Sequence, residues 1–417
     1  MTDVLVIGAG AAGCLAAIKA AEAGAGVTLI EKNPKIGRKL MLTGKGRCNL
    51  TNAKPWVQFS SHLHSKPAFF KPAFYSFSNE QTISFFNSIG VQTVLTRDDR
   101  VFPETMMSST VVDALEKRLA RLKVKILFGC TVTGVQRLSS GSFETTFTEG
   151  GQDKYMPGLV NSRSIVVATG GLSYPATGST GAGYDIARSF GHTINRTFPS
   201  LTALTPECYD LRLNGITLLN VSAQLYVGKD MTAFEFGDVQ FTDGGIEGPV
   251  GFKISRRAVW ALLNGDKVSV SLDLKPAVPL ETLSERVSSL AREAGIDASN
   301  FKRRQASLLR KFMPQALIEP FAGANSLTLD NLAATMKDWR FKITEYVGYR
   351  RAVVTAGGVN LDEVVSKTMA SRIVPGLFFA GELLDIDGDT GGYNLQFAFS
   401  TGALAGRSAA EYAARVQ

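Results

Sequence analysis

Three glycines near the start of the chain are spaced as in a turn that binds a pyrophosphate group. Gly8, Gly10 and Gly13 form the pattern Gly-X-Gly-X-X-Gly, in which every X is alanine. The first glycine allows a sharp turn, the second leaves room for a phosphate, and the third lets a helix pack closely on the preceding strand. The phosphate oxygens then face free N–H groups at the positive end of that helix. The predicted dinucleotide contacts come from Gly8, Ala9, Gly10, Ala11, Ala12 and Gly13.

An acidic residue follows about 20 residues after the third glycine, where it can bind the ribose of a dinucleotide. Glu31 comes directly after the apolar run Val27–Ile30, which is typical of a buried strand. Its carboxylate can accept hydrogen bonds from the adenosine ribose hydroxyls, and it disfavours a cofactor that carries a 2′-phosphate. We expect Glu31 and the adjacent Lys32 to contact the cofactor.

The glycine turn requires a strand before it and a helix after it. Residues 3–7 form a short apolar run, and an alanine-rich stretch continues to about Ala23. Together they predict a strand, a tight turn and a helix. A glycine turn in some other α/β protein is the alternative, but it does not account for an acidic residue at position 31.

Two later segments favour FAD over NAD as the dinucleotide. Ser164–Ala168 has the pattern of a buried strand and leads into Thr169-Gly170-Gly171, where small residues let the chain pass close to a nucleotide. Gly376–Ala380 leads through Gly381-Glu382 to an apolar helix predicted at about residues 391–407. An NAD-binding Rossmann domain does not need this late return. FAD does, because it extends from the first glycine turn to a last helix, whose positive end can stabilise negative charge on the reduced flavin.

Chemistry at a flavin needs a group that handles a proton while a hydride passes to or from the ring. Cys48 is a candidate proton donor. The alternative is that Cys48 is a small packing residue beneath the flavin. Because this segment contains a single cysteine, a dithiol relay is excluded here. Arg47 can hold the FAD pyrophosphate, which we favour, or an anionic substrate. Tyr393 and Asn394, at the start of the last predicted helix, either contact the ring or cap the helix.

Two long motifs resemble the signatures of a known flavoprotein family. Residues 37–52, GRKLMLTGKGRCNLTN, and residues 388–396, GDTGGYNLQ, are similar to those of the three-domain flavoproteins called HI0933-like. Shorter similar blocks lie between them, so the resemblance extends over nearly the whole chain. Lys45 departs from the pattern, because many members have glycine there, and it can alter the charge close to the cofactor.

The resemblance implies an FAD-binding domain that is built from both ends of the chain and interrupted by a small β-barrel and a helical unit. Members of the family are assigned to reduction of uridine in ribosomal RNA, reduction of unsaturated bile-acid intermediates, and amine oxidation. Besides the glycine turn, Glu31 and Lys32, the expected FAD-binding residues are Arg38, Lys39, Thr43, Gly44, Gly46, Arg47, Cys48, Asn49, Val132, Ala168, Thr169, Gly170, Gly171, Gly381, Glu382, Asp387, Gly391, Gly392, Tyr393, Asn394 and Leu395.

The middle of the chain has a different pattern from its two ends. Short alternating stretches such as Val221–Val227 and Val268–Leu274 predict a small barrel or sandwich, and residues 280–339 predict helices that break at Pro314 and Pro320. We therefore expect an α/β fold with a Rossmann-like, two-dinucleotide-binding FAD domain at 1–197 and 344–417, a β-barrel insert at 198–277 and a helical insert at 278–343. Substrate recognition is expected in the inserted units, because the FAD domain alone offers only the flavin.

Composition limits the class of protein. The chain has 417 residues, of which 45% are hydrophobic and 20% charged, as expected for several globular domains. No stretch approaches the roughly 20 apolar residues of a membrane span, and we expect a cytoplasmic protein. The four cysteines and three histidines are dispersed, and the acidic run Asp385–Asp389 lacks the glycine and glutamate that an EF-hand requires, so no disulfide framework or metal site is expected.

The net charge of +8 suits an anionic partner such as RNA. The basic residues include the run Lys302-Arg303-Arg304, followed by Arg310-Lys311, at helical spacing. Such runs usually mark a solvated helix face, and contact with RNA phosphates is the alternative.

Three functions are compatible with these features. The first is a reductase that takes hydride from NAD(P)H and passes it through FAD to a conjugated double bond, in ribosomal uridine or in a small enone. The second is an amine oxidase that uses oxygen, and the third is a flavin-bound RNA binder without turnover. No second glycine turn follows a strand, so we expect NAD(P)H to bind transiently over the ring face that the substrate uses.

Overall fold

The computed structural model describes residues 1–150 and 155–416, and the chain divides into two compact units. The first unit comprises Met1–Phe198 and Val353–Gln417, and the second comprises Pro199–Ala352. The first unit is thus built from both ends of the chain, and the second interrupts it.

The strands and helices of the described residues are as follows. The strands are β1 Thr2–Ile7, β2 Val27–Glu31, β3 Thr51–Asn52, β4 Thr93–Leu95, β5 Arg100–Pro103, β6 Lys125–Phe128, β7 Cys130–Arg137, β8 Phe143–Gly150, β9 Tyr155–Val167, β10 Ile194–Ser200, β11 Leu204–Pro206, β12 Thr217–Val227, β13 Asp230–Thr242, β14 Gly245–Glu247, β15 Val268–Asp273, β16 Trp339–Tyr346, β17 Val354–Val359, β18 Val364–Val365, β19 Ala370–Ser371 and β20 Leu377–Phe379. The helices are α1 Ala11–Glu22, α2 Trp56–Ser60, α3 Pro67–Ser76, α4 Asn79–Ser88, α5 Ser108–Arg121, α6 Ala182–Ser189, α7 Gly248–Leu263, α8 Leu280–Glu293, α9 Phe301–Leu309, α10 Gln315–Ala324, α11 Leu332–Lys337 and α12 Tyr393–Arg415. Across the described part of the chain, none of the helices has the length and apolar composition needed to cross a membrane.

A nine-stranded sheet forms the centre of the first unit. Its parallel strands have the order β20-β9-β1-β2-β6, with β19 and β18 added at one edge and the β7–β8 hairpin joined to β9. The register pairs Val4 with Val27 and Val6 with Val166. Val4 and Val6 are fully buried, as expected for a strand in the middle of a parallel sheet. The predicted α/β fold with a Rossmann-type sheet is confirmed.

Two helices, α1 and α12, pack side by side in the first unit because α12 carries glycine at the contact. A Cβ at Gly402 would lie 2.2 Å from the carbonyl oxygen of Ala12, and a Cβ at Gly406 would lie 2.1 Å from that of Ala16. Gly402 lies against Ala12, and Gly406 lies against Ala16. Residue numbers therefore increase in the same direction along the two helices, which are parallel. Because α12 begins more than two turns before Gly402, its N-terminus projects about 12 Å beyond that of α1.

The second unit contains a closed six-stranded barrel, which confirms the predicted β-barrel. The strand order is β11-β14-β13-β12-β15-β16, and β16 closes the barrel by pairing with β11. Helices α8–α11 lie between β15 and β16 in sequence, so one barrel strand follows the helical insert. The predicted division after residue 277 falls between β15 and α8, whereas the predicted division after residue 343 falls inside β16. Fully buried Trp339, the first residue of β16, explains why this strand joins the barrel after the helices. The centre of its ring lies 4.7 Å from that of Phe341 and 5.3 Å from that of Phe321 in α10.

The prediction that Pro320 breaks a helix is wrong. Pro314 immediately precedes α10, as expected of a helix start, but Pro320 lies inside α10. A proline inside a helix removes one backbone hydrogen bond. The side chains around it compensate, because Leu317, Ile318 and Phe321 are all buried in the second unit.

Candidate active site

The glycine turn between β1 and α1 has the geometry that a pyrophosphate group requires. Gly8 has a φ of +98°, and a Cβ there would lie 2.7 Å from the carbonyl oxygen of Ala168. A Cβ at Gly13 would lie 1.7 Å from the carbonyl oxygen of Gly8. Gly10 directly precedes α1, and a Cβ at this position would meet no atom within 4 Å. Gly8 and Gly13 are thus required by packing, whereas the space beside Gly10 is available to a ligand.

The Glu31 carboxylate holds this turn in place. It is buried, and it accepts hydrogen bonds from the backbone N–H of Ala9 at 2.7 Å and of Asn33 at 2.8 Å. Two carboxylate oxygens offer about four acceptor positions, so capacity for a ribose hydroxyl remains. Lys32 next to it donates to Thr180 Oγ1 at 2.9 Å. Burial lowers the pKa of Lys32, and the Glu31 carboxylate acts in the opposite direction.

The two long motifs meet at the start of α12. Gly391 and Gly392 have φ values of +131° and +101°. A Cβ at Gly392 would lie 2.4 Å from the carbonyl carbon of Thr51, and Asn52 Nδ2 donates to the carbonyl oxygen of Gly391 at 3.2 Å. Residues 37–52 and 388–396, which are distant in sequence, therefore lie against each other in the first unit.

The loop between β2 and β3 contains several residues in the left-handed backbone region. Gly44, Lys45 and Gly46 have φ values of +58°, +57° and +84°, and Cys48 has a φ of +59°. For a residue other than glycine this conformation costs roughly 1–2 kcal/mol. The backbone of Lys45 thus adopts a conformation that suits glycine, which gives a physical reason for the glycine of many family members at this position.

Three buried polar atoms in or beside these segments have no hydrogen-bond partner among the described residues. They are Asn49 Oδ1 in the first motif, Gln396 Oε1 in the second motif, and Thr169 Oγ1 two residues after the end of β9. An unpaired buried polar group costs about 1–3 kcal/mol, so a bound ligand is the natural partner. FAD carries donors and acceptors along its whole length, and the residues present fit it.

A hydrogen-bonded network joins Lys39 of the first motif to Glu382. Lys39 Nζ lies 2.7 Å from Glu382 Oε2 and donates to Ser173 Oγ at 2.7 Å. Ser173 Oγ donates to Glu382 Oε1, which also accepts from the backbone N–H of Thr355 at 3.0 Å. Ser173 and Thr355 were not among the predicted site residues. Their signal in the sequence is weak, because isolated hydroxyl residues occur throughout the chain.

Cys48 does not have the environment of a proton donor. Its side chain is fully buried in the hydrophobic core of the first unit. Burial raises the pKa of Cys48 to about 12, although a hydrogen bond with Thr43 acts in the opposite direction. A thiol with such a pKa gives up its proton poorly near neutral pH. These facts favour the packing alternative for Cys48 over the catalytic one.

Asn394 stabilises the start of α12 through its side-chain amide, and Tyr393 is buried beside it. Asn394 Nδ2 donates to the carbonyl oxygens of Gly388 at 2.8 Å and Asp389 at 3.1 Å, and its Oδ1 accepts from the Gly388 N–H at 2.9 Å. Tyr393 is 3% exposed. Burial raises the pKa of Tyr393, and the Asp389 carboxylate raises it further. Of the alternatives for these two residues, the geometry favours a structural role at the helix start.

Two histidines lie together at the start of α12, although the sequence analysis describes the histidines as dispersed. His62 Nδ1 lies 2.8 Å from Asp389 Oδ2, and His64 Nε2 lies 3.1 Å from Asp389 Oδ1. Burial alone would raise the pKa of Asp389, but the hydrogen bonds and charges of the two histidines hold it well below its usual range. The His-X-His spacing is a signal that could have indicated them, because alternate residues of an extended segment point the same way.

The remaining predicted residues also lie in the first unit. Arg38 Nη1 donates to Asn33 Oδ1 at 2.8 Å, near Glu31. Exposed Arg47 donates to the Gly44 carbonyl oxygen at 3.0 Å and lies 5.2 Å from the ring centre of Phe102. The other predicted residues occupy β7, the end of β9 and its following turn, the loop before α12, and the first turn of α12: Val132, Ala168, Gly170, Gly171, Gly381, Asp387 and Leu395.

Sequence comparison matches the chain to one family along nearly its full length. The family model described as HI0933-like protein Rossmann domain matches residues 2–408. A 3-dehydro-bile acid delta(4,6)-reductase of Clostridium scindens is 32% identical, over 99% of this chain and 100% of that protein. A ribosomal RNA dihydrouridine synthase of Escherichia coli is 33% identical, over 96% of each chain.

A solved structure supports the fold independently of sequence. The 3-ketosteroid delta1-dehydrogenase of Sterolibacterium denitrificans superposes with a TM-score of 0.52 at 13% identity, over 100% of both chains. At this level of identity the likeness concerns the fold alone.

Proposed function

The chain belongs to the HI0933-like family of FAD-dependent oxidoreductases, and on that basis we propose that it reduces a carbon–carbon double bond conjugated to a carbonyl group. NAD(P)H is the proposed source of electrons. The observation that carries this proposal is the pair of full-length relatives. One is named as a reductase of a bile-acid double bond and the other as an enzyme that forms dihydrouridine. A conjugated enone and the uracil ring share a C=C bond next to a carbonyl group.

The residues of the first unit are arranged to hold an extended FAD. The free N–H groups at the start of α1 would bind the pyrophosphate beside Gly10, and Glu31 would bind the adenosine ribose. Asn49 and Thr169 would pair with polar atoms of the cofactor. The start of α12, about 12 Å further along, would face the flavin ring and favour negative charge there. When bound, FAD supplies two-electron transfer between a nicotinamide and the substrate.

Turnover with NAD(P)H is expected to follow a ping-pong course. Only one strand-linked Gly-X-Gly-X-X-Gly turn is present in the sequence, so the chain has no separate nicotinamide domain of the disulfide-reductase kind. The nicotinamide would bind at the flavin, leave, and be replaced by the oxidised substrate. Parallel initial-rate lines in a two-substrate experiment would support this order.

RNA is the second candidate for the substrate, and exposed cations in the second unit favour it. Lys302 and Arg303 of α9 are exposed, and their side chains make no hydrogen bond or ion pair with the described residues; Lys311 is likewise exposed. Arg304 is partly engaged, because it donates to the Gly295 carbonyl oxygen at 3.2 Å. Cations without carboxylate partners are available to phosphates.

The test begins with purified protein and its bound cofactor. Under anaerobic conditions, NADH or NADPH should bleach the flavin absorbance, and a cyclic enone or ribosomal RNA should restore it. Nucleoside mass spectrometry of ribosomal RNA, from cells with and without this gene, separates the two substrates, because only an RNA substrate leads to loss of dihydrouridine. Slow reduction by both nicotinamides, together with rapid peroxide formation from a primary amine, would contradict the proposal and favour an amine oxidase.

A further inference from the structure

Two of the three histidines in the chain share one carboxylate. His62 uses Nδ1 and His64 uses Nε2 to contact Asp389, at 2.8 Å and 3.1 Å. The second ring nitrogen of each makes no hydrogen bond with the described residues. We refer to His62, His64 and Asp389 as the histidine–aspartate cluster.

The cluster is fixed to the start of α12 by backbone contacts and ring stacking. Asp389 donates its backbone N–H to the carbonyl oxygen of His62 at 2.9 Å, and Leu63 forms a β-bridge with Gly388. The His62 ring stacks on Tyr393, the first residue of α12, with 4.4 Å between ring centres. The imidazoles are thus held in position before any ligand binds, as a proton-transfer group requires.

The cluster is accessible from one side and surrounded by charge. The side chains of His62, His64 and Asp389 are 27%, 25% and 15% exposed. Charged groups on β5 and the turn before it also influence the pKa of the neighbouring Tyr393. They are Arg100, Asp98 and Asp99. Arg100 lies 3.7 Å from Asp98, and Asp99 lies 2.6 Å from Lys54, so these charges largely offset one another. Asp389 remains the carboxylate nearest to the two histidines.

We propose that the histidine–aspartate cluster supplies the proton during double-bond reduction. This inference rests on the proposed function. The β-carbon of the conjugated bond takes a hydride, which carries two electrons, from the reduced cofactor, and the α-carbon takes a proton from the imidazolium of the cluster. The cofactor is thereby oxidised, the imidazolium becomes neutral imidazole, and solvent water protonates it again. Asp389 orients both rings and stabilises the imidazolium before the transfer.

The chain offers variants that keep the hydrogen bonds to Asp389 but remove the acid. Asparagine places its amide near the position of a histidine Nδ1, and glutamine places it near Nε2. His62→Asn and His64→Gln therefore retain a donor to Asp389 while neither amide can deliver a proton near neutral pH. Lys66→Met is the matched control, because exposed Lys66 is two residues from His64 and, among the residues that the structure describes, forms an ion pair only with Asp362, at 2.6 Å.

The measurement separates the two half-reactions of the holoenzyme. The flavin is first reduced with dithionite, and a cyclic enone is then added in a stopped-flow instrument while the flavin absorbance is followed. We expect the double variant, His62→Asn with His64→Gln, to slow reoxidation by about 100-fold or more. The FAD content of the double variant, its melting temperature and its rate of flavin reduction by NAD(P)H should match those of wild type and of Lys66→Met. The wild-type rate of reoxidation should fall as pH rises, because a general acid must carry its proton, and the double variant should lose this dependence.

Two results would overturn the inference, and they are distinguishable. If wild type reoxidises with the enone and the double variant does so at the same rate and with the same pH profile, the proton comes from elsewhere and the proposed function stands. If reduced wild type is not reoxidised by any conjugated acceptor, the proposed function fails and the inference fails with it. Equal losses of FAD content and of both half-reactions would assign the cluster a structural role and also contradict the inference.

Discussion

At the scale of single residues, burial decides between the chemical roles that residue type alone leaves open. Cys48 is the only cysteine in the two long motifs, yet its thiol lies in the core with a pKa raised to about 12 by burial. His62 and His64 have only their His-X-His spacing as a signal in the sequence, yet they lie partly exposed beside a carboxylate. A proton donor must exchange with solvent and substrate, so exposure favours the histidines.

Replacing Cys48 with alanine should leave catalysis nearly intact. Because the thiol is buried and poorly acidic, we expect enone-dependent reoxidation within a few-fold of wild type. Loss of one buried sulfur should lower the free energy of unfolding by about 1 kcal/mol. Chemical denaturation and stopped-flow reoxidation measure the two quantities. A loss of reoxidation of 100-fold or more with unchanged stability would restore Cys48 as a proton donor.

The third histidine predicts how stability depends on pH. His192 is fully buried in the first unit, where Nε2 lies 2.7 Å from Ser371 Oγ and Nδ1 lies 3.3 Å from Glu363 Oε2. Burial lowers the pKa of His192, and Glu363 offsets this only in part. The unfolded chain therefore binds the proton first as pH falls below about 6.5. The free energy of unfolding should decrease from about pH 6.5 towards pH 5.

The variant His192→Gln tests this dependence. Urea denaturation of wild type should give a lower free energy of unfolding at about pH 5 than at about pH 7. Ordinary carboxylates titrate below this pH interval, so they contribute little to the difference. His192→Gln should be less stable than wild type at neutral pH but have a flatter profile over the same interval. An equally steep profile in the variant would assign the dependence to other groups.

At the scale of elements, the contact between α1 and α12 sets the distance between the two ends of the proposed cofactor site. The closeness of these helices depends on Gly402 and Gly406 of α12, which lie against the Ala12 and Ala16 carbonyl oxygens. The same contact fixes how far the start of α12 projects beyond that of α1. A change in the helix contact should therefore affect both stability and cofactor binding.

Gly406→Val should force the two helices apart. A Cβ at this position would lie 2.1 Å from the Ala16 carbonyl oxygen, which is backbone and cannot move alone. We expect a loss of about 1–3 kcal/mol or more in the free energy of unfolding, with weaker FAD binding. Glu411→Val introduces the same residue on the exposed face of α12 and should cost less than about 1 kcal/mol. Similar losses in both variants would show that helix propensity, not packing, dominates.

At the scale of the whole molecule, all predicted cofactor residues lie in the unit that is built from both ends of the chain. Residues 1–198 supply the glycine turn and the first long motif, and residues 353–417 supply Glu382 and the start of α12. FAD bound to the folded state of this unit, and not to the unfolded chain, must stabilise it by mass action. The second unit has its own closed barrel and its own core.

Added FAD should therefore raise the free energy of unfolding of the first unit. At a free concentration of about 100 times Kd the gain is about 2.7 kcal/mol. Gly10→Val is the control variant, because its side chain would fill the space proposed for the pyrophosphate. A Cβ at Gly10 meets no atom within 4 Å, so the FAD-free variant should fold as wild type. Thermal melting of both proteins with and without FAD measures the effect. A full FAD-induced shift in Gly10→Val would place the pyrophosphate elsewhere.

The sequence by itself determined the α/β fold class, the glycine turn and the family, and the resemblance to that family implied the barrel. These features depend on local periodicity and on short motifs, in which each residue type has a direct steric or electrostatic reason. It did not determine that Trp339 begins a barrel strand after the helical insert, or that Pro320 lies inside a helix. Both depend on packing between segments that are distant in sequence.

Only the tertiary structure decided which polar residues act together. Asp389 lies more than 300 positions from His62 and His64, so the cluster forms only when the loop before α12 folds against the segment after α2. The same applies to Lys39, Ser173 and Glu382, whose network joins three separate parts of the chain. Residue type states what a side chain can do, but burial and neighbours, which the fold alone fixes, set its protonation and its partners.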